Sequence, residues 1–321
     1  MFTISVLYQS YNQAEYIKES LEAILNQKYQ ALEIIIIDDC SSDNSIDILR
    51  NYETKYKNIK LIINQQNKGT ASSSNYGIEN AKGDLIYFAA ADDKIEKNLF
   101  EEANKAFLDN ANLGLFSARI NTIDFKGNLM FDKNQNFKDD NQINVLSNKE
   151  SLKRLSRNDF WITGQTCVWK RDLLIKNNLK FNEKYKHYMD HFLIINIILR
   201  YDSAFLNKKL ASWRLLTNSY SSKNFRFFNA VPAFENYSID LLNSFKDTNI
   251  DSNKLKKLLC GYLNNLFLIN LKKQIEDLND ILNKAKNNQI KTELYLKIMI
   301  IINLTFNYML YYLIKIKNKV F

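Results

Sequence analysis

Short apolar runs alternate with stretches of helical periodicity through the first third of the chain. The runs with strand character span residues 4–7, 34–37, 59–63 and 85–89. Between the first two runs, Ile17, Leu21 and Ile24 fall on one face of a predicted helix. Asn12, followed by Glu15, predicts a capping box at the start of that helix. The alternation predicts an α/β fold, with a Rossmann-like, mostly parallel central sheet flanked by helices.

Polar motifs follow three of the predicted strands. These motifs are Ser10-Tyr11-Asn12, Asp38-Asp39 and Asp92-Asp93. In open parallel α/β sheets, ligands bind in the crevice outside the carboxyl ends of the strands. We therefore expect these side chains to meet at one edge of the sheet and to form a ligand site there.

The rest of the chain is less regular. Residues 99–107 have helical spacing, residues 113–118 predict another strand, and residues 125–148 are polar and predict loops or a lid. From residue 226 to residue 321 the pattern predicts helices, so we expect one α/β domain over residues 1–225 and a C-terminal helical extension over residues 226–321.

Positive charge is concentrated at the C-terminal end. The formal net charge is +9, and residues 251–321 carry twelve lysines, five acidic residues and no arginine. Residues 298–314 contain no charged residue and are followed by lysines. Basic charge beside an apolar aromatic helix favours lipid headgroups over nucleic acid, so we expect peripheral membrane contact through residues 298–319. The alternatives are a buried helix that packs on residues 255–271 and a homodimer contact.

The cysteines and the N-terminus indicate the compartment. The three cysteines lie far apart without CxxC spacing, so neither a disulfide framework nor a zinc knuckle is indicated. Residues 3–7 already have strand character, so no export signal is predicted. We expect a cytoplasmic location at the inner face of the cytoplasmic membrane.

Adjacent carboxylates such as Asp92-Asp93 repel one another unless a cation or hydrogen-bond donors hold them. Mg²⁺ or Mn²⁺ commonly takes one or two protein carboxylates and completes its shell with water and phosphate oxygens. The pair therefore predicts a divalent metal site, and the alternative is that these acids begin the next helix. Asp38-Asp39 predicts a contact to a ribose hydroxyl or a base N–H, and the alternative is a turn that caps a helix.

Four motifs in a fixed order carry a resemblance to a known family. They are residues 5–12 (SVLYQSYN), 33–43 (EIIIIDDCSSD), 67–77 (NKG and NYG) and 83–93 (GD before DD). The chain resembles the family 2 glycosyltransferases of the GT-A fold over about its first 95 residues, and again from Trp161. The resemblance implies a nucleotide-sugar-binding half over residues 1–95 and an acceptor half over residues 96–225.

The resemblance also implies roles for individual residues. Nucleotide-sugar binding would fall to Ser10, Tyr11, Asn12, Asp39, Asn67, Asp92 and Arg214. Tyr11 would stack on or flank the base, and Asp39 would hydrogen-bond it. Asp93, with Asp92, would ligate Mg²⁺ or Mn²⁺ at the diphosphate. Arg214 would contact the diphosphate or pin the loop over the site, and the alternative is a surface arginine.

The acceptor half must supply a base that deprotonates the acceptor hydroxyl. The resemblance implies Asp190 for this role, and the alternative is an ordinary acid in a first helical turn. Acceptor contacts are predicted for Trp161, Gly164, Gln165 and His191, with core packing as the alternative for Trp161. His187 and His191 have a spacing that fits a metal on a helix face, but without an HExxH motif zinc is disfavoured.

The chain departs from the family at four positions. Ala90 stands where many relatives carry the first acid of DxD, Ser74 where many carry Arg, Met189 where Glu precedes the base, and Leu216 where a His is customary. Ser74 leaves one diphosphate contact of the family unassigned, and Lys68 is a candidate to compensate that no sequence pattern supports.

The predicted activity is that of an inverting glycosyltransferase of hexosyl or N-acetylhexosaminyl type. The donor is a nucleotide-sugar, with a UDP-sugar favoured, and the acceptor is a glycan or a polyprenyl-diphosphate-linked hydroxyl in surface polysaccharide or glycoconjugate synthesis. The alternative is a catalytically decayed nucleotide-sugar-binding or membrane assembly subunit. A sugar-nucleotide pyrophosphorylase would need a Gly- and Arg-rich phosphate loop, which residues 8–12 do not provide.

Overall fold

The chain folds into two compact units. The computed structural model describes residues 1–132, 142–157, 159–216, 227–261 and 314. The first unit consists of Met1–Leu152 and Phe160–Asn224, and the second consists of Lys153–Asp159 and Phe225–Phe321. All the candidate site residues lie in the first unit.

Ten strands of the first unit form one sheet. The strands are β1 (Ile4–Ser10), β2 (Glu33–Asp38), β3 (Ile59–Ile63), β4 (Leu85–Ala90), β5 (Lys94–Ile95), β6 (Leu113–Ile123), β7 (Leu129–Asp132), β8 (Ile143–Leu146), β9 (Val168–Lys170) and β10 (Asp202–Arg214). Their order is β3-β2-β1-β4-β9-β6-β10-β5, with β7 paired to β6 and β8 paired to β10.

The N-terminal half of the sheet is parallel throughout. β1 pairs with β2 and with β4, and β2 pairs with β3. Residues 34–37 of β2 are buried, as predicted for a strand covered on both faces. The predicted α/β fold with a mostly parallel central sheet is confirmed. The winding direction switches between β1 and β4, which is where open α/β sheets bind ligands.

The C-terminal half of the sheet is mixed. β9 runs antiparallel to both β4 and β6, whereas β6 and β10 are parallel. The two-residue strand β5 pairs with Ala211 and Ser212 of β10. This pairing brings the turn after β4, which carries Asp92 and Asp93, beside the end of β10.

Helices connect the strands and cover the sheet. They are α1 (Ala14–Leu25), α2 (Ser45–Lys55), α3 (Thr70–Asn80), α4 (Leu99–Asp109), α5 (Asn148–Leu155), α6 (Arg171–Lys176) and α7 (Met189–Ile198). Helix α1 buries Ile17, Leu21 and Ile24, as its periodicity predicts. Two short 3₁₀ turns, Gly164–Thr166 and Glu183–Tyr188, precede β9 and α7.

The start of α1 differs from the prediction. Gln13 is the N-cap residue and makes no side-chain capping hydrogen bond. Asn12 lies before it with a positive φ of 52°, and its Oδ1 accepts a hydrogen bond from the backbone N–H of Ser42 at 2.7 Å. The predicted capping box is wrong, because the Asn12 side chain joins two loops at the sheet edge instead of the first helical turn.

The polar segment 125–148 is not entirely loop. β7 extends the sheet from β6 and β8 pairs antiparallel with β10, while residues 133–141 lie outside the described ranges. Both strands are short and lie off the main path of the sheet. Such edge strands need no continuous apolar run, so the hydrophobic pattern did not indicate them.

The second unit is helical where it is described. Helix α8 spans Phe227–Ser244, and a further helix spans residues 252–261. The predicted membrane-contacting segment 298–319 lies outside the described residues except for Ile314. Across the described ranges, no helix has both the length and the apolar character needed to cross a bilayer.

Replacing a residue of the central strand tests the packing of the sheet. Ile36 is 0% exposed, so we expect Ile36→Ala to lower the free energy of unfolding by about 2–5 kcal/mol. The matched control is Ile63→Ala on β3, where the side chain is 36% exposed and the expected loss is about 1 kcal/mol or less. Denaturant unfolding of both variants measures the difference, and equal losses would contradict the burial of β2.

Candidate active site

A cavity of about 250 Å³ opens at the carboxyl ends of β1 and β4. Its wall includes Gln9, Thr70, Asp93, Gly164, Gln165 and Asp190. The structure therefore brings the predicted metal ligand Asp93 and the predicted base Asp190 to one cavity. It also places two of the predicted acceptor residues, Gly164 and Gln165, in the same wall.

Asp93 presents a carboxylate to this cavity. Its Oδ1 accepts a hydrogen bond from the backbone N–H of Arg214 at 2.9 Å, and no described residue donates to its Oδ2. Burial, and next the negative charge of Asp92, raises the pKa of Asp93 well above its ordinary value. The ionised form therefore gains from a nearby positive charge, and Oδ2 is the oxygen that can ligate one.

Asp92 and Asp93 fit a hard divalent cation. Burial raises the pKa of Asp92, against the opposing effects of the Gln13 side chain and Arg214. No group of three or more His, Cys, Asp or Glu side chains suited to a metal occurs in the part of the chain that is described. An ion at this turn would therefore take few protein ligands and complete its shell with water and phosphate oxygens, as Mg²⁺ and Mn²⁺ do.

Arg214 is the buried cation behind the Asp92-Asp93 turn. Its side chain is 3% exposed, and its Nε donates to the backbone carbonyl of Asp92 at 2.9 Å. Nη1 donates to the carbonyls of Asp124 and Phe125 at 3.2 and 3.1 Å. The guanidinium thus ties the turn after β4 to the turn after β6.

The remaining guanidinium nitrogen of Arg214 reaches helix α1. Nη2 donates to the carboxylate of Glu19, and the guanidinium carbon lies 4.7 Å from the centre of the Tyr16 ring. The hydrogen bond from Lys94 to Glu19 lowers the pKa of this carboxyl, and Arg214 adds to the effect. Because each guanidinium nitrogen donates to a protein acceptor, the geometry favours the pinning role over the predicted diphosphate contact.

Asp190 lies in the first turn of α7. Its Oδ1 accepts from the backbone N–H of His191 at 2.8 Å, while its Oδ2 lies 3.1 Å from the position that a Cβ on Gly164 would occupy. The carboxylate is accessible to the cavity, yet the surrounding protein is dense enough that desolvation raises the pKa of Asp190. A raised pKa at a concave site is what a general base requires.

A polar network fixes the turn that carries Gly164 and Gln165. The hydroxyls of Thr163 and Thr166 donate to the backbone carbonyl of Ala118 in β6, at 2.6 and 2.8 Å. The Tyr87 hydroxyl donates to the carbonyl of Gln165 at 2.9 Å. This part of the cavity wall is therefore held to β4 and β6 by hydrogen bonds and is not a loose loop.

Asp39 organises the loop before α3. Its Oδ1 accepts from the Asn64 side chain and the Lys68 backbone, and its Oδ2 accepts from the Gly69 backbone, each at 2.8 Å. This loop leads directly to Thr70 in the cavity wall. Asp39 itself does not line the cavity, and its predicted contact to the base stays a prediction.

The other predicted nucleotide contacts lie around the same sheet edge. Ser10 is buried at the end of β1, and its carbonyl accepts from the backbone N–H of Asp39 at 2.9 Å. Tyr11 is 49% exposed, as a stacking platform for a base would be. The side-chain oxygen of Asn12 accepts from the backbone N–H of Ser42 in the neighbouring loop, and that of Asn67 accepts from the backbone N–H of Gly69 in its own loop, so in this structure both stabilise loop geometry.

Two of the predicted acceptor residues do not line the cavity. Trp161 is 1% exposed and packs beside Phe160, which agrees with the core-packing alternative rather than with a sugar contact. The His191 ring packs 4.7 Å from the Phe160 ring, and burial, with the charge of His187, lowers the pKa of His191 to about 3. His191 is therefore neutral at neutral pH, and its backbone N–H donates to Oδ1 of Asp190.

Several residues of the cavity wall were given no role from the sequence, among them Gln9, Thr70 and Lys186. Asn75 belongs to one of the family motifs, but its contact was not predicted: its side chain exchanges two hydrogen bonds of 2.9 Å with the backbone of Phe181. Nothing in the hydrophobic periodicity signals such contacts, because they join segments more than a hundred positions apart.

Comparison with known sequences identifies the family. The profile of glycosyl transferase family 2 matches residues 5–176, and the chain belongs to this family. It is 39% identical over 107 residues to an uncharacterized glycosyltransferase of Haemophilus influenzae, covering 33% of this chain and 43% of the relative. It is 31% identical over 181 residues to the uncharacterized glycosyltransferase YibD of Escherichia coli, covering 56% of this chain and 51% of the relative. The chain therefore spans about half the length of these relatives or less.

Comparison with solved structures agrees on the fold. TarS residues 1–349 of S. aureus, in complex with UDP-GlcNAc, gives a TM-score of 0.65 at 19% identity, covering 82% of this chain and 72% of that one. The mannosyltransferase PcManGT of Pyrobaculum calidifontis, in complex with GDP-Man and Mn²⁺, gives 0.58 at 18% identity, covering 99% and 87%. At these identities the likeness supports the fold alone.

Conservative replacement of Arg214 tests its anchoring role. Lysine cannot reproduce the forked donors, so we expect Arg214→Lys to leave buried carbonyls unsatisfied and to lower the free energy of unfolding by about 2–4 kcal/mol. The control is Lys94→Met, which removes the more exposed partner of Glu19 and should cost about 1 kcal/mol or less. Denaturant unfolding compares the two, and a loss for Arg214→Lys no larger than the control would contradict the anchoring role.

Proposed function

We propose that this chain is an inverting, metal-dependent glycosyltransferase that moves a sugar from a nucleotide-sugar to an acceptor hydroxyl. The observation that carries the proposal is the shared cavity, in which the carboxylate of Asp93 and the carboxylate of Asp190 face the same space. A donor bound there would have its leaving group near the first carboxylate and its sugar toward the second. Family membership supplies the reaction class.

Asp93, with Asp92, would hold Mg²⁺ or Mn²⁺. When bound, the ion neutralises charge on the departing nucleoside diphosphate and so favours its departure. The chain's own contribution is positional, because the backbone N–H of Arg214 orients Asp93 through Oδ1 and leaves Oδ2 toward the cavity. The PcManGT complex with Mn²⁺ supports this proposal by analogy of fold.

Asp190 would act as the base in a single displacement. Its Oδ2 would accept the proton of the acceptor hydroxyl while the hydroxyl oxygen attacks the anomeric carbon and the bond to the diphosphate breaks. The backbone N–H of His191 holds Oδ1, so the carboxylate cannot rotate freely. Gly164 leaves room beside Oδ2, since any larger residue there would press on this oxygen.

A UDP-sugar is our proposed donor, of hexosyl or N-acetylhexosaminyl type. The two structural neighbours bind nucleotide-sugars with different nucleotides: TarS is in complex with UDP-GlcNAc, and PcManGT is in complex with GDP-Man. We propose as acceptor a glycan or polyprenyl-diphosphate-linked hydroxyl in surface polysaccharide or glycoconjugate synthesis. A cytoplasmic location at the membrane face would give access to such acceptors.

Removing the charge of Asp93 tests the metal site. We expect Asp93→Asn to abolish the gain in thermal stability that Mn²⁺ or Mg²⁺ confers together with UDP, because the neutral amide is a poor ligand for a hard cation. A thermal-shift screen of UDP-, GDP- and dTDP-sugars, each with and without metal, measures this and identifies the nucleotide.

Asp109→Asn is the control for the Asp93 variant, because Asp109 is an exposed acid at the end of α4. It should respond to metal and nucleotide like the wild type. Stabilisation by the nucleotide that ignores the metal, or that survives in Asp93→Asn, would argue against the metal assignment.

Asp190→Asn separates catalysis from binding. The amide can still accept from His191 but cannot take a proton, so we expect kcat to fall by about 10²–10⁴-fold while donor affinity stays near that of the wild type. In the wild type, kcat/KM should fall as pH drops through an apparent pKa above 3.8, because desolvation raises the pKa of Asp190 and only the ionised form is a base.

The matched control is Asp172→Asn, which removes an acid from the first turn of α6, away from the cavity wall. If both variants kept full turnover, Asp190 would be an ordinary first-turn acid. If the wild type bound donor but neither transferred nor hydrolysed the sugar, the decayed binding subunit would replace the enzyme as the better account.

A further inference from the structure

The cavity contains one basic side chain that the sequence analysis did not assign. Among the described residues that line it, Lys186 is the sole Lys or Arg, whereas Asp93 and Asp190 are the carboxylates. A diphosphate entering this space adds further negative charge beside two acids. A single divalent ion leaves part of that charge uncompensated, so a neighbouring ammonium would contribute to binding.

The backbone of Lys186 is held in a conformation that disfavours a side chain. Its φ of 50° and ψ of −125° lie in a region that glycine adopts far more readily. The flanking residues Tyr185 and Met189 are buried, so the turn is fixed on both sides. Backbone strain of this kind is concentrated at functional sites, so the strain at Lys186 indicates a function for its side chain.

The turn that carries Lys186 lies against the start of α3. Oε1 of Glu183 accepts from the backbone N–H of Ala71 at 3.4 Å and lies 3.0 Å from where a Cβ on Gly69 would be. The Lys186 ammonium is 3.9 Å from the Glu183 carboxylate, near the limit of an ion pair. The lysine therefore lies on the side of the cavity that is bordered by the loop before α3, which Asp39 holds, and there a nucleotide diphosphate would enter.

Neither of the two other candidates for this contact brings a positive charge to the cavity wall, because Ser74 is uncharged and Lys68 does not line the cavity. Ser74 stands where the family resemblance leads one to expect Arg, and its hydroxyl accepts from the Gln9 side chain. Lys68, the predicted substitute, is exposed and does not line the cavity, and its backbone N–H donates to Asp39. Lys186 is the basic residue that can take over the charge missing at position 74.

We propose that Lys186 binds the diphosphate of the nucleotide-sugar donor. This inference rests on the proposed function, since it assigns a binding residue within the same cavity. The ammonium would contact the phosphate attached to the sugar, because the Asp93 carboxylate and the Asp190 carboxylate face the space where the bond to that phosphate breaks. Lys186 would thus contribute to donor affinity and to stabilisation of the leaving group.

Calorimetric titration of UDP and UMP in the presence of Mn²⁺ tests the assignment on the full chain. We expect Lys186→Met to weaken UDP binding by about ten- to a hundredfold and to weaken UMP binding much less, because UMP lacks the second phosphate. Lys186→Arg should retain most of the UDP affinity. Lys184→Met, two residues away at an exposed position, is the control and should bind both nucleotides like the wild type.

Lys186→Gly separates a binding role from a structural one. Glycine relieves the backbone strain, so its melting temperature should equal or exceed that of the wild type while UDP binding is lost to the same extent as in Lys186→Met. A lower melting temperature for both variants, with UDP and UMP weakened equally, would overturn the proposal in favour of a structural lysine.

The two proposals fail in different ways. Wild-type UDP affinity in Lys186→Met, with normal binding by the wild type, would overturn the Lys186 assignment and leave the proposed function intact. Failure of the wild type to bind UDP, GDP or dTDP with either Mn²⁺ or Mg²⁺ would overturn both.

Discussion

The site depends on one buried cation, Arg214, which holds the Asp92-Asp93 turn in place. Four segments that are distant in sequence meet at its guanidinium: the turn after β4, the turn after β6, helix α1 and the end of β10 itself. The backbone N–H of the same residue orients Asp93. A buried charge is tolerated only where its donors are satisfied, so this arrangement fixes the relative positions of all four segments. Of the two acids on this turn, Asp93 lines the cavity, and its carboxylate is held there by the backbone N–H of Arg214.

Much of the fold could be predicted because buried strands and helices have recognisable patterns of hydrophobic residues in the local sequence. The four isoleucines at 34–37 can only be a strand covered on both faces, and the residue types after β1, β2 and β4 mark the carboxyl edge where ligands bind. The edge strands β7 and β8 could not be predicted in the same way. These strands are held by backbone hydrogen bonds and do not require an apolar run. The hydrophobic periodicity of the sequence therefore does not indicate them.

A place in the cavity wall was predictable where a residue type and a strand end coincide, as at Asp93, and at Asp190 through the family resemblance. It was not predictable where a role arises from a tertiary contact. The Asn75 side chain donates a hydrogen bond to the backbone of Phe181, and Lys186, which has a positive φ, lines the cavity. The sequence left two roles open for Arg214, a contact to the diphosphate and an anchor for the loop. Its burial and its hydrogen-bond acceptors favour the anchoring role. Sequence patterns indicate which groups are available, whereas the long-range hydrogen bonds decide which way they face.

Two desolvated carboxylates, Asp93 and Asp190, are costly to the fold when they are ionised. Desolvation raises the pKa values of Asp93 and Asp190, so the folded chain holds protons there more tightly than the unfolded chain does. The stability that these bound protons contribute is complete below about pH 3.8, the ordinary pKa of an aspartate. It is lost as the pH rises through the raised pKa values of the folded chain. In the proposed metal-bound state, a divalent ion at Asp93 would offset this loss, because it would replace the proton with a stronger positive charge. The proposed function places no ion at Asp190, so its ionised carboxylate would bear the desolvation cost until, as the proposed base, it accepts the proton of the acceptor hydroxyl.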